Sequence, residues 1–289
     1  MIKFSKYHAL GNDYIVIRAQ EADEGLSREM IRSICHRNYG PGSDGILLGP
    51  FETPAADFGL RIFNPDGSEA EKSGNGLRIF ARWLVDQGYA KERTFTVETR
   101  GGVVSCAASA DGRFVKVNMG RVSFDSRDIP VSGAAREVLQ ETITVNGESL
   151  TFCAATIGNP HCIVLFKEPT AETARRYGPA IERDERFPKK TNVQFMHVLD
   201  RANIQIEIWE RGAGYTLASG SSSAAAAAAA HKLGLCDRQI QVHMPGGQLA
   251  IEMDSDFTVS QRGPVTKIYD GILAPEFSEK ESAVQGAPA

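Results

Sequence analysis

Two stretches decide the reading of this chain: SGNGLRIFARWLVDQG at residues 73–88 and SGSSSAAAAAAAHKLG at residues 219–234. Each opens on a serine and a run of small residues. In the first, Leu77, Phe80, Ala81 and Leu84 recur at helical spacing, so Leu77 to Gly88 is expected to be a buried helix following a glycine-rich turn. The second is expected to be an alanine-rich helix running to about Leu233 before Gly234. Beyond each helix comes a strand and a double glycine, Phe95 to Val104 turning at Gly101-Gly102 and Ile240 to Met244 turning at Gly246-Gly247. The spacing from serine to glycine pair differs by one residue between the copies. A glycine-containing turn also precedes each serine, Asn64-Pro65-Asp66-Gly67 in one half and Arg211-Gly212-Ala213-Gly214 in the other.

A unit repeated in this way implies two pseudo-symmetric domains. Many short strands with one central helix per half imply an α+β fold in which a mixed, mostly antiparallel sheet wraps each helix. The expected N-terminal domain is residues 1–119 with 263–275, the C-terminal domain 120–262, and 276–289 a disordered tail, since little there is apolar. Around the repeat, Phe4 to Arg18 reads as strand, Gly11-Asn12 turn and strand. Ser27 to Arg37 reads as a helix capped by Ser27, and Leu60 to Phe63 as a short strand.

The formal net charge of −4 supplies no basic excess for a phosphate backbone or an anionic lipid surface, so neither nucleic acid nor membrane is an expected partner. The longest alanine run, Ala224 to Ala230, is far short of the roughly 20 residues needed to span a bilayer. The N-terminal residues do not read as a cleaved signal. Cys35, Cys106, Cys153, Cys162 and Cys236 are scattered without CxxC spacing, which argues for buried thiols in a reducing cytoplasm over a disulfide framework or a metal site. Cys162, beside His161, is the one to test for a chemical role. No cofactor is expected, because no phosphate-binding glycine motif or metal-ligand cluster is present.

The two helix starts carry chemistry of their own. Backbone N–H groups and the positive end of the dipole collect at a helix N-terminus and hold an anion without a basic side chain. If the two units face each other across a cleft, Gly74, Asn75, Gly220 and Ser221 would offer such groups to one substrate carboxylate. That suits proton removal at the adjacent carbon, because the donors stabilise the charge that builds on the carboxylate oxygens. The alternative is that these small residues serve only helix packing and capping.

Several blocks then match, in order, those of one family: HALGNDY at 8–14, RIFNPDGSEAEKSGNGLRIFARW at 61–83, GNPHC at 158–162, TNVQF at 191–195, ERGAG at 210–214, PGG at 245–247 and GPVTKIYDG at 263–271. The chain resembles diaminopimelate epimerase from Phe4 to about Leu273. The resemblance implies a cofactor-independent isomerase that converts LL-2,6-diaminopimelate to the meso form for lysine and peptidoglycan precursors, in the cytoplasm, as a homodimer with a small amino-acid substrate. It implies substrate contacts at Asn12, Asn64, Asn159 and Asn192. Arg211 would grip the distal carboxylate, Glu210 would orient the amino group and tune the site, and His161 would tune the acid–base pair. The carboxylate cradle would be Gly74-Asn75 and Gly220-Ser221.

The family places one cysteine on each side of the α-carbon, and here the matching positions are Ser73 and Ser219. Tyr215 stands where the family usually has glutamate, and Ser222-Ser223-Ala224 where a Gly-Ala-Cys-like run is common. A cysteine, with an ordinary pKa of about 8.5, is readily made a thiolate. A serine acts mainly when a neighbouring base takes its proton, and His161, Glu210 and Tyr215 are the candidates. Two other readings stand beside the epimerase: an isomerase of another amino acid or carboxylate using non-cysteine bases, and a catalytically inactive amino-acid-binding homologue.

Overall fold

A computed structural model describes residues 1–22 and 25–277. The chain forms two compact units, Met1–Val115 with the segment from Pro264 onward, and Lys116–Gly263.

In unit one, strands Lys3–Ala9 and Asn12–Ile17 form an antiparallel hairpin with Ala9 opposite Asn12. Its two turn residues are therefore Leu10 and Gly11, both at positive φ (57° and 86°), one residue earlier than the Gly11-Asn12 turn expected. Mirror-type hairpin turns need that conformation, and here a leucine adopts half of it. Helix α1 (Arg28–Cys35) follows, with Ser27 Oγ accepting from Met30 N at 3.0 Å. Strand Ile46–Phe51 then runs parallel to Asn12–Ile17 and antiparallel to Phe58–Phe63. The short strand Glu69–Ala70 leads into helix α2 (Gly74–Asp86). Strand Thr94–Thr99 pairs parallel with Phe58–Phe63 and antiparallel with Gly102–Ala108. Strand Thr266–Ile272 returns to pair with Lys3–Ala9.

Unit two repeats this order. Strands Glu148–Thr156 and Pro160–Leu165 form the hairpin, helix α3 (Ala171–Glu182) follows, and Asn192–Asp200 runs parallel to Pro160–Leu165. Strand Asn203–Glu210 is antiparallel to it, and Gly214–Thr216 leads into helix α4 (Gly220–Lys232). Strand Gln239–Met244 pairs parallel with Asn203–Glu210 and antiparallel with Gly247–Met253. Each unit is thus a mixed, mostly antiparallel sheet around a central helix, an α+β fold.

The central helices are buried for different reasons. α2 carries large apolar residues on most sides, and Leu77, Ile79, Phe80, Trp83 and Leu84 are all enclosed. In α4, Ala224 to Ala230 are all 0% exposed, which is the behaviour of a helix apolar all round. The glycine-rich stretch before Leu77, expected as a turn, is instead the first turn of α2, because Ser73 caps it.

The double glycines acquire a role from the fold. Gly101 N donates to Glu71 O, and in the second copy Gly246 N donates to Leu217 O, both at 2.8 Å. Each hairpin turn therefore pins the backbone two residues before the capping serine. A Cβ on Gly101 would lie 2.8 Å from Glu71 O, so only glycine permits this approach.

Strands Asn12–Ile17 and Pro160–Leu165 are covered on both faces. Ile15 and Ile17 join the core under α1, whereas Cys162 and Val164 join the core under α3. Strand alternation turns Tyr14 and His161 the other way, toward the central helix of their own unit. At the C-terminal end, the tail expected from 276 is ordered as far as Phe277, whose N–H donates to Ala274 O at 3.0 Å and whose ring packs on the α1 core. Residues 278–289 lie outside the described residues. No helix among the described residues is long and apolar enough to cross a membrane.

Candidate active site

In unit one Ser73 is the N-cap of α2, with extended backbone and its Oγ accepting from Gly76 N at 3.0 Å. A Cβ on Gly76 would lie 3.2 Å from that oxygen and 3.0 Å from Leu47 Cδ2, so the glycine makes room for the cap. Gly74 and Asn75 are the first helical residues, and both are buried. Asn75 belongs to a directed chain of hydrogen bonds. Arg78 Nη2 donates to Asn75 Oδ1 at 2.7 Å, Asn75 Nδ2 to Asn12 Oδ1 at 3.0 Å, and Asn12 Nδ2 to Asp44 Oδ2 at 2.9 Å. A guanidinium only donates and a carboxylate only accepts, so the two ends fix which way both amides point. Burial pushes Arg78 down to about 9, which still leaves it charged near neutrality.

Asn64 stands apart from this chain. It is exposed, and it closes its own turn, with its N–H on Ser68 O at 2.8 Å and its Nδ2 on Ser68 Oγ at 3.0 Å.

Tyr14 was not among the expected site residues. Its Oη lies 3.1 Å from Ser73 Oγ, and the residue is 7% exposed.

In unit two Ser219 holds the equivalent N-cap place on α4 and is 5% exposed, but its side chain makes no cap hydrogen bond. Gly220 is buried against Gln261, whose Oε1 would lie 2.5 Å from an added Cβ, and Ser221 is half-buried. Ser222 Oγ accepts from Gln194 Nε2 at 3.0 Å, while Ser223 Oγ donates to Ser219 O at 2.8 Å. Both hydroxyls are fully buried and held within the helix packing, so the serine run after Ser221 is structural.

Asn159, His161, Asn192 and Arg211 come together. His161 Nε2 and Asn159 Oδ1 are 3.0 Å apart, so with the amide oxygen as acceptor the ring proton sits on Nε2. Asn192 Nδ2 donates to Pro160 O at 2.9 Å and its Oδ1 accepts from Arg211 N at 3.0 Å. The Arg211 side chain is exposed, with Nη1 on Lys189 O at 3.1 Å. Burial pushes His161 down to about 3, with the nearby positive charge of Arg211 adding to the shift and the Gln194 side chain opposing it. The ring is neutral at any physiological pH. Glu210 is half-buried at the end of its strand, opposite Gly214.

The Tyr215 hydroxyl is engaged by Glu207 and not by Ser219. The residue packs on the α3 side of the sheet, where its Oη donates to Glu207 Oε2 at 2.8 Å and Arg175 stacks 4.5 Å from its ring centroid. Cys162 is likewise a core residue: it is 0% exposed, and burial raises its thiol well above the ordinary range. All five cysteines are free and buried. Among the described residues, no group of three or more His, Cys, Asp and Glu side chains is arranged to hold a metal ion.

Comparisons with known proteins identify relatives of the chain. The family model described as diaminopimelate epimerase matches residues 4–124 and 153–268. The chain is 59% identical over 283 residues to diaminopimelate epimerase 2 of Nostoc sp. (strain PCC 7120), covering 98% of this chain and 99% of that protein. It is 38% identical over 274 residues to the diaminopimelate epimerase of Desulfitobacterium hafniense, covering 93% and 96%. Among solved structures, a hydroxyproline epimerase from Agrobacterium vitis superposes with a TM-score of 0.70 at 16% identity, covering 96% of this chain and 93% of that one. A probable proline racemase from Agrobacterium radiobacter superposes with a TM-score of 0.69 at 15% identity, covering 95% and 93%. At these identities the structural matches establish a shared fold.

Proposed function

This chain belongs to the diaminopimelate epimerase family, and from that premise we propose that it inverts LL-2,6-diaminopimelate to the meso isomer by cofactor-independent proton transfer at the α-carbon. Inversion requires a proton taken from one face of that carbon and another returned on the opposite face. Ser73 and Ser219 are the groups assigned to the two faces. The observation that carries this assignment is their equivalent placement: each is the N-cap of the central helix of its unit.

Such a place joins a proton carrier to an anion site. The first N–H groups of α2 and α4, at Gly74-Asn75 and Gly220-Ser221, would receive the carboxylate next to the reacting carbon and stabilise its growing charge. Asn12 is held in the orientation that the Arg78–Asn75 chain dictates. Asn64, Asn159, Asn192, Glu210 and Arg211 would hold the rest of the substrate, with the Arg211 guanidinium suited to a bidentate grip on the distal carboxylate. His161, neutral and buried, would act as a polar support of unit two, without carrying charge.

The serines in place of the family's cysteines make the reaction harder, so the direct test uses both side chains. The wild-type enzyme is expected to form meso-diaminopimelate from the LL isomer at a measurable rate, and the Ser73→Cys/Ser219→Cys variant to do so faster. Absence of meso product from both well-folded proteins would reject the epimerase reading. A homodimer and a cytoplasmic location belong to this proposal and rest on kinship with the family alone.

A further inference from the structure

The chemical difficulty of the proposed reaction lies in the hydroxyl groups. An aliphatic alcohol is a poor acceptor of a carbon-bound proton unless its own proton has somewhere to go. His161, Glu210 and Tyr215 were the groups expected to take it. The structure offers a different one: Tyr14 Oη lies 3.1 Å from Ser73 Oγ, within hydrogen-bond distance and in either direction of donation.

We infer that Tyr14 is the proton partner of Ser73, a reading that rests on the epimerase assignment above. The geometry is built to hold this pair. Strand alternation turns Tyr14 toward α2, and its ring lies against Gly45, where a Cβ would come within 2.7 Å of Tyr14 Cε1. The tyrosine is 7% exposed, and Ser73 Oγ is fixed from the other side by Gly76 N–H at 3.0 Å. The hydroxyl of Ser73 therefore stands between a helix N-terminal amide and a phenol, whose ordinary pKa of about 10 lies below that of an aliphatic alcohol.

The step balances as a relay. In removal, from the form in which Tyr14 has already released its proton to solvent, the Cα–H bond breaks and its proton passes to Ser73 Oγ, while the Ser73 hydroxyl proton passes to the phenolate oxygen of Tyr14. The electron pair stays on the α-carbon and spreads into the carboxylate. In return, Ser73 gives its proton to the α-carbon and is refilled from the Tyr14 hydroxyl, leaving the phenolate. Ser73 stays neutral before and after each step, and the negative charge moves from the phenolate to the substrate in removal and back to the phenolate in return. Tyr14 acts through Ser73 and is a positioning and proton-holding residue.

The test is a double-mutant cycle read by turnover of diaminopimelate between pH 6 and 11, using the full chain with Tyr14→Phe, Ser73→Cys and both together. Phenylalanine keeps the ring against Gly45 and removes only the hydroxyl. Tyr14→Phe in the Ser73 protein is expected to lower kcat on the order of 100-fold with little change in KM, and to change the shape of the pH profile of kcat. In the Ser73→Cys protein the same change is expected to cost far less, because a thiolate needs no partner to take its proton. Equal losses in both backgrounds, or no loss in either, would overturn the inference while leaving the epimerase assignment standing. Calorimetric binding of diaminopimelate by Tyr14→Phe at wild-type affinity checks that the site has folded. If no variant turns over diaminopimelate, including the one with both cysteines restored, the epimerase assignment falls and takes the relay with it.

Discussion

Ser73 and Ser219 stand at the same N-cap with nearly the same backbone angles (φ −140° and −146°), yet only Ser73 turns its hydroxyl into the helix, accepting from Gly76 N. The fold thus repeats the position without repeating the side-chain bond. A lost side-chain cap costs about 1 kcal/mol. Ser73→Ala is therefore expected to lower the unfolding free energy by roughly that amount, and Ser219→Ala to leave it nearly unchanged. Denaturant titration of the two variants measures the difference, and equal losses would show that the caps are equivalent in solution.

His161 occupies in unit two the place that Tyr14 holds in unit one: it is two residues after Asn159, as Tyr14 is two residues after Asn12. Burial lowers its pKa from the ordinary 6.5 to about 3 in the folded chain. On acidification the unfolded chain takes up this proton first, so the stability that depends on a neutral His161 is present above about pH 6.5 and lost as pH falls toward 3. His161→Gln, which cannot titrate, is expected to show a smaller drop in unfolding midpoint between pH 7.5 and pH 5 than the wild type. An unchanged drop would mean that the ring is not buried as described.

Tyr215 sits on the α3 face, where it satisfies the buried Glu207 carboxyl, whose pKa is raised by desolvation. Burial and the Glu207 bond together push the phenol up to about 12, so it stays protonated and keeps donating. Tyr215→Glu would set two carboxyls side by side. It is expected to cost about 1–3 kcal/mol near neutrality, with part of the loss recovered on mild acidification as one carboxyl takes up a proton. The turnover of the folded protein should stay near wild type. A large loss of turnover without loss of stability would place Tyr215 in the chemistry.

The duplication was legible because each copy needs the same small residues for the same reasons: a serine to open the central helix and a glycine whose amide reaches back to the backbone two residues before that serine, as Gly101 does to Glu71. The start of α2 was harder to read. Gly74 to Gly76 look like a turn by propensity, and it is the Ser73 cap and close packing on Leu47 that make them helical. α3 escaped notice because Gly178 and Pro179 interrupt it. Gly178 is there to seat Trp209, whose Cγ would lie 2.5 Å from an added Cβ.

The site residues missed were missed for a physical reason. Asn12 to Ile17 is covered on both faces, so no polar alternation tells which residues look toward α2. The phenol of Tyr14 becomes visible as a partner of Ser73 only once the strand and helix are packed.

The most direct measurement is early-turnover isotope incorporation: wild-type enzyme with LL-diaminopimelate in deuterated water, with product and remaining substrate separated and analysed by mass spectrometry. Two hydroxyls working on opposite faces of the α-carbon predict deuterium in the meso product and almost none in the recovered LL isomer. Deuterium entering the recovered substrate as fast as the product would point to a single group serving both faces, and would contradict the assignment of Ser73 and Ser219 as a pair.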